Sequence, residues 1–336
     1  MIQRIGSRTI GFDNRPVIIG HASVAGKKES EGPLANFFDR IIYDPYNGME
    51  TYEDAESRMQ TEAVSLALEK SGVCAKDIDY VFAGDLLNQC TGSAFGMRDL
   101  GIPYLGQYGA CSTMGQGLLM AALFVECGAA ERTVCATSSH FCSAERQYRF
   151  PLEYGSIRTP TAQWTVTGAG SCVVAKNGNG ARIVRATAGK IIDFGITDAN
   201  NMGAAMAPAA AETILTYFRD TGTGPGDYDL ILTGDLGLVG SRNLRELLRR
   251  EGVDIGANHN DCGMMIFDRE RQDVHAGGSG CGCCASVLCA KVLGELESGR
   301  LRSILFVPTG ALLSATTAGQ KKTIPSIAHL INLQAG

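Results

Sequence analysis

The segment "DIDYVFAGDL" (residues 77–86) returns 150 positions later as "DYDLILTGDL" (227–236). Asp, Asp, Gly, Asp and Leu are identical, and apolar residues answer apolar ones. Each copy reads as a turn followed by a short buried strand with a polar Gly-Asp at its C-terminal end. Upstream of each lies a helical pattern, "EDAESRMQTEAVSLALEKSGV" (53–73) and "GAAMAPAAAETILTYFRDTG" (203–222), and both close on glycine as helix ends prefer. Downstream of each comes a glycine-rich approach to an apolar helix, "YGACSTMGQGLLMAALFVECG" and "HAGGSGCGCCASVLCAKVLGEL" (275–296). The strands "RTVCAT" (132–137) and "RSILFV" (302–307) follow. The order helix, strand, apolar helix, strand therefore occurs twice. A helix without a polar face must be covered on every side, so the two apolar helices belong in a middle layer between two sheets. This predicts an α/β protein, a five-layer α-β-α-β-α sandwich of two pseudo-symmetric halves. The Asn- and Gly-rich "AKNGNGAR" (175–182) places their boundary, giving an N-terminal half of residues 1–178 and a C-terminal half of 179–336.

Composition narrows the function. The 336 residues carry a net charge of −5 and are 45% hydrophobic, enough for a large core without metal or disulfide staples. No basic footprint for nucleic acid is present, because neutralising phosphates needs clustered Lys and Arg. Twelve cysteines are scattered among helices and strands and read as reduced thiols. The opening "MIQRIGSRTIGFDNRP" lacks a signal-peptide pattern, so the chain is expected to be made without one. The longest apolar run, Leu118 to Val125, is far short of the ~20 residues a spanning helix needs. Work at a membrane would go through a partner.

Cys111 stands immediately ahead of the first apolar helix. A thiol there meets the partial positive charge and free N–H groups of a helix start, which lowers its pKa, so it reads either as an activated nucleophile or as the wall of a pocket. The plain alternative is one more buried cysteine. Groups at strand C-termini should converge on it: Asp85 and Asn88, Ser139 and His140, and Asp235 from the second half. Asp85 and Asp235 read equally as caps for the turns or helices that follow. Backbone N–H donors are expected from Ser112 to Met114 and from Gly277 to Ser279, with Ser112 and Ser279 in the lining. Arg146 and Arg149 could supply guanidinium forks, against a surface ion pair with Glu145 or Glu153. Asp261 in "HNDCG" is a further polar candidate, reaching a ligand through water or calcium. "CGCC" (281–284) with Cys289 lies within one helix pattern and reads as small-residue packing rather than a zinc site. The face "RNLRELLRREG" (242–252) reads as a solvated helix face.

The "ACSTMGQG" helix start, the duplicated half and "HAGGSGCG" resemble the thiolase-like superfamily, which includes thiolases and ketoacyl synthases. More closely, the chain resembles the stage V sporulation protein AD family of spore-forming bacteria through "EGPLANFFD" (31–39), "AGDLLNQ" (83–89), "GACST" (109–113), "ATSSH" (136–140), "AERQYRFP" (144–151), "AMAPAAA" (205–211), "HNDCG" (259–263), "AGGSGC" (276–281) and "TGALLS" (309–314). That resemblance implies a spore or forespore protein, peripheral at the inner spore membrane, that binds dipicolinic acid (pyridine-2,6-dicarboxylic acid). It would help load the ligand into the developing spore as a subunit of a membrane transport assembly. Calcium would be the ligand's counter-ion, and no cofactor is implied.

The enzymes of the superfamily use a cysteine served by His-His or His-Asn, with a second cysteine in thiolases. Here the second-half strand is followed by Asp235, the run after His275 is one residue short, and Pro308 and Thr309 stand where thiolases place the second cysteine. The expectation is a non-catalytic binding protein, against the alternative of an acyl-transferring enzyme using Cys111. A homodimer is expected through an edge strand, at the strand leading to Cys142 or the "GSCVVA" region.

Overall fold

In the computed structural model, which describes residues 2–148 and 158–336, ten strands form the frame. The first five are β1 (Val17–Gly26), β2 (Tyr80–Gly84), β3 (Tyr104–Gly106), β4 (Arg132–Ser139) and β5 (Gly168–Ala175). The second five are β6 (Ala181–Thr187), β7 (Leu230–Thr233), β8 (His259–Asp261), β9 (Ser303–Val307) and β10 (Leu330–Gln334). The spatial order is β3-β2-β4-β5-β1 in one group and β8-β7-β9-β10-β6 in the other. Directions repeat as well: β2 is parallel to β3 and β4, and β7 to β8 and β9, while the remaining neighbours within each group are antiparallel. The repeated "GDL" words thus sit at equivalent ends of β2 and β7. The two groups meet edge to edge where Ala181 pairs with Ile18 and Arg182 with Val17.

Helix α1 (Tyr52–Ser71) and α2 (Thr91–Arg98) pack on the outer face of the first sheet. Between the sheets lie α3 (Thr113–Glu126) and the stretch 281–297, which runs as an α-helix from Cys281 to Val287, a π-type turn over Leu288–Val292 and a last helical turn Leu293–Glu297. Helix α4 (Phe141–Tyr148) follows β4; α5 (Met202–Thr221) and α6 (Gly237–Arg250) cover the second sheet. The five layers are those expected. Thr51 caps α1 by accepting the Asp54 N–H, and Gly72 and Gly222 end α1 and α5 in the left-handed conformation, where a β-carbon would cost energy. The largest core cluster joins Leu118, Ala122 and Val125 of α3 to Val287, Leu288 and Val292 and to both sheets. In α6, Leu244 and Leu248 are buried while Arg249 and Arg250 pair with Glu246 on the solvated face. Among the described residues, no helix is long and apolar enough to cross a membrane.

Both strands nominated as a dimer edge are interior. The "GSCVVA" strand β5 is paired by β1 and β4, and β4, which leads to Cys142, is paired by β2 and β5. An interior strand has no free N–H or C=O row to offer another chain. The frame ends instead at β3 and β8.

The middle layer fits because the crossing points carry no side chain. A β-carbon on Gly170 would lie 2.3 Å from the Ala285 carbonyl oxygen, and one on Gly282 would lie 2.2 Å from that of Gly168. Backbone cannot yield as a flexible side chain does, so Gly170→Ala is expected to lower stability by at least about 2 kcal/mol, the cost of overpacking a tight core. Urea denaturation checks this; an unchanged midpoint would refute the close-crossing account.

Candidate functional site

The turn before α3 forces Cys111 into the layer between the sheets. Ala110, at φ 48°, takes the left-handed conformation, a strain of order 1 kcal/mol for a residue with a β-carbon. Ser112 Oγ and its N–H both donate to the Gly109 carbonyl (2.6 and 3.1 Å), and Thr113 Oγ1 and N–H donate to that of Ala110 (2.6 and 3.2 Å). The N–H groups of Ser112 and Thr113 expected to meet a ligand are thus consumed by the turn itself.

Facing Cys111 is Asp235, fully buried at the end of β7. Its Oδ2 accepts the Ser279 hydroxyl (2.8 Å) and the Gly280 N–H (3.0 Å), its Oδ1 accepts the Thr309 hydroxyl (2.9 Å), and the Cys111 thiol lies close enough for each group to shift the other's protonation. Three donors from two segments converge on one carboxylate, with the Cys111 thiol beside it. Cys284 Sγ reaches the Cys111 carbonyl at 3.6 Å. On the exposed side, the Tyr108 and Tyr148 hydroxyls stand 3.1 Å apart, Tyr148 donates to the Leu86 carbonyl (2.6 Å), and both feel Cys111 and Cys281 electrostatically.

The electrostatics reverse the expectation for a thiol at a helix start. Burial, reinforced by the Asp235 charge and its hydrogen bond, pushes the Cys111 thiol well above its usual range, and the Gly280 N–H opposes this only weakly. Asp235 is itself raised by burial against the donors that lower it. Among the described residues, the hydrogen bonds of the five histidines lead elsewhere. His21 meets the Cys289 carbonyl, His140 the Pro45 carbonyl, His259 meets Thr233 and Arg245, His275 meets Asp273, and His329 accepts from the Gly189 N–H. Burial favours the protonated form of the Cys111 thiol beside a carboxylate, and among the described residues no histidine is hydrogen-bonded to it.

Of the residues expected to converge, Cys111, Asp235 and Ser279 do. Ser139 stands one step away. It donates to the Val166 carbonyl (2.7 Å) and accepts the Gly282 N–H (3.0 Å), so it caps the helix that begins at Cys281. Ser112 closes its own turn. Asp85 caps α2 instead, accepting the Ser93 N–H and hydroxyl (2.7 and 2.6 Å) and the Leu87 N–H (2.8 Å). Asp261 does the same for α6, accepting the N–H groups of Leu236 and Gly237 (both 2.9 Å) and the Thr233 hydroxyl (2.7 Å). Asn88 is exposed beside Gln147, whose side chain accepts its N–H. His140 turns away, its Nε2 bonding the Pro45 carbonyl (2.8 Å) and its Nδ1 accepting the Cys142 N–H (3.2 Å). Arg146 pairs with Glu53, not with Glu145; Arg149 and Glu153 lie outside the described residues. The thiols of Cys283 and Cys284 meet backbone carbonyls within the packed middle layer.

Glu56 was not singled out by the sequence, because "EDAESRMQ" reads as ordinary helix. It is fully buried and accepts the Ser138 and Ser143 hydroxyls (3.2 and 2.7 Å) beside Asp85. Burial, with the Asp85 charge adding to it, pushes its carboxyl up to about 8.

Two expectations follow. At mildly alkaline pH, iodoacetamide is expected to label the exposed Cys74 and Cys127 but not Cys111, whose thiolate is suppressed. Asp235→Asn, by removing the facing charge, is expected to raise Cys111 labelling by roughly tenfold per unit of recovered pKa. Peptide mass mapping decides, and rapid labelling of wild-type Cys111 would contradict the geometry. For Glu56, the folded chain keeps a proton that the unfolded chain releases near its ordinary value. Its contribution is therefore present at acid pH and lost as pH rises from about 4.5 to about 8. Glu56→Gln is expected to lose less melting temperature than wild type between pH 5 and pH 8, with Glu29 and Asp261, both raised to about 7, keeping part of the slope. Equal slopes would refute a protonated Glu56.

Comparison with solved structures places the fold. 3-Oxoacyl-[acyl-carrier-protein] synthase III from Aquifex aeolicus VF5 superposes with a TM-score of 0.57 at 14% identity, covering 95% of this chain and 99% of that one. Cerulenin-bound OleA of Xanthomonas campestris gives a TM-score of 0.60 at 15% identity over 96% of this chain and 97% of that one. At such identities the likeness is of fold, the thiolase-like one. In sequence, the chain is 44% identical over 325 residues to stage V sporulation protein AD of Bacillus subtilis (strain 168), covering 96% of both chains. The family model for stage V sporulation protein AD matches residues 6–334. With that match running through both halves and across Cys111, Asp235 and Ser279, the chain belongs to the stage V sporulation protein AD family.

Proposed function

We propose that this sporulation-family protein is a binding protein, not an acyl transferase, and that its ligand beside Cys111 is dipicolinic acid. The observation that supports a binding role is the Cys111–Asp235 pair. A thiol buried beside a carboxylate, with its pKa pushed up and, among the described residues, no imidazole hydrogen-bonded to it, is a poor nucleophile for thioester chemistry. Fold alone does not restore that chemistry.

The same pair constrains the ligand. A bare dianion would be repelled by Asp235, whereas a calcium chelate brings its own compensating charge and oxygen-seeking metal. The ligand is therefore read as the calcium complex, with calcium as cargo rather than a resident cofactor. The Ser279 hydroxyl, the Cys111 thiol and the tyrosine pair above it supply short-range polar contacts. In the cell, the reading is of a peripheral subunit of a membrane transport assembly at the inner spore membrane. The protein pairs with a second copy through the free edge of β3, beside which Leu105 and Tyr108 are exposed.

Calorimetry with dipicolinate and calcium tests this, with benzene-1,3-dicarboxylate as the control that lacks the ring nitrogen. Wild type is expected to bind dipicolinate and not the control. Cys111→Ser is expected to keep binding within about threefold, because the hydroxyl still donates a hydrogen bond, and Cys111→Trp to abolish it by filling the space. A flat wild-type titration, or a stable acyl adduct on Cys111 after incubation with acyl-CoA, would overturn the reading.

A further inference from the structure

A cavity of about 250 Å³ opens between the loop after β1 and the start of α4, built from residues distinct from those gathered on Asp235. One wall is the stacked pair Phe141 and Trp164, with ring centroids 4.1 Å apart and planes 13° from parallel. Met59 of α1 contributes apolar surface behind it. The mouth carries Lys27 and Lys28, and the Lys28 ammonium lies 3.7 Å from the centre of the Trp164 ring. Among the described residues neither lysine forms an ion pair. Glu29, the buried acid in the lining, turns its carboxylate to the Thr167 N–H (3.1 Å).

Glu31 also lines the cleft, and the Lys28 charge acts on Glu29 without an ion pair to it. A positive charge held on an aromatic face at the rim of an apolar hole is chemistry for an anion with a hydrophobic body. The volume admits one ring with a short substituent and is below the range typical of nucleotide or drug-sized sites. Among the described lining residues the cations are Lys27 and Lys28, point charges rather than the guanidinium forks that phosphate recognition favours; the Arg158 guanidinium lies over the Trp164 ring at 4.3 Å without joining the lining. We propose that the cleft is a second ligand site, for a small aromatic monocarboxylate whose ring lies against Phe141 and Met59 and whose carboxylate pairs with Lys28. This site is independent of the dipicolinate reading at Cys111.

The chain supplies its own probe, because Trp164 is its single tryptophan. Indole fluorescence is followed during titration with benzoate, and with benzamide as the uncharged analogue of the same shape. Benzoate is expected to give a saturable change, benzamide to bind at least ~tenfold more weakly, and Lys28→Met to lose at least ~tenfold for benzoate, as expected when a charge-assisted contact is removed. Lys28→Arg, which keeps the charge, is expected to retain binding within ~threefold. The proposal fails if no saturable signal appears, if benzamide matches benzoate, or if Lys28→Met titrates as wild type. It fails equally if Cys111→Phe abolishes the benzoate response, since that would place benzoate in the other pocket. Dipicolinate calorimetry on Lys28→Met separates the two sites: retained dipicolinate binding with lost benzoate binding supports the cleft, and loss of neither overturns it.

Discussion

A helix with no polar face can be stable in water only if something covers it all the way round. In this chain two such helices cover one another, and a sheet closes each open side. The tight glycine crossings, the mirrored strand orders and the placement of amphipathic helices outside follow from that demand. Gly170 and Gly282 let helix and strand backbones meet directly. The gain is dense dispersion contact, and the consequence is that any polar group carried into the middle layer must find its partners there.

Asp235 shows how that requirement is met. Its carboxylate gathers Ser279, Gly280, Thr309 and Cys111, so one acid ties the start of the second buried helix to the turn before the first. Asp85 and Asp261 perform a different task, satisfying N–H groups at the starts of α2 and α6. Burial raises all three acids and Glu56, so the molecule carries a set of carboxyl groups whose protonation is set by packing rather than by solvent.

The layers were legible because each half spells the same order of periodicities, and a duplicated signal is hard to mistake. The site was legible only where local sequence and tertiary position coincide, at Cys111, Asp235 and Ser279. Asp85 and Asp235 occupy the same place in the repeat, yet they diverge because the second half hands its helix cap to Asp261. That residue lies on the neighbouring strand β8, and no word in the sequence records the exchange. Glu56 escaped notice for a similar reason: its depth comes from the sheet beneath α1, not from its own helix. The two strands nominated as edges are interior because strand order across a sheet is not a local property, and β5 reads as a strand whether it is central or marginal.

The chain's thiols have a consequence for chemical endurance. Of twelve cysteines, nine are buried, Cys142 is half-buried, and only Cys74 and Cys127 are exposed. Burial keeps core thiols such as Cys135, Cys283 and Cys284 protonated, and a protonated sulfur is slow to attack oxidants or other thiols. Oxidation is thereby directed to the surface thiols Cys74 and Cys127 and away from the middle layer that holds Cys111. The packing that fixes the fold also sets which of its sulfurs can react.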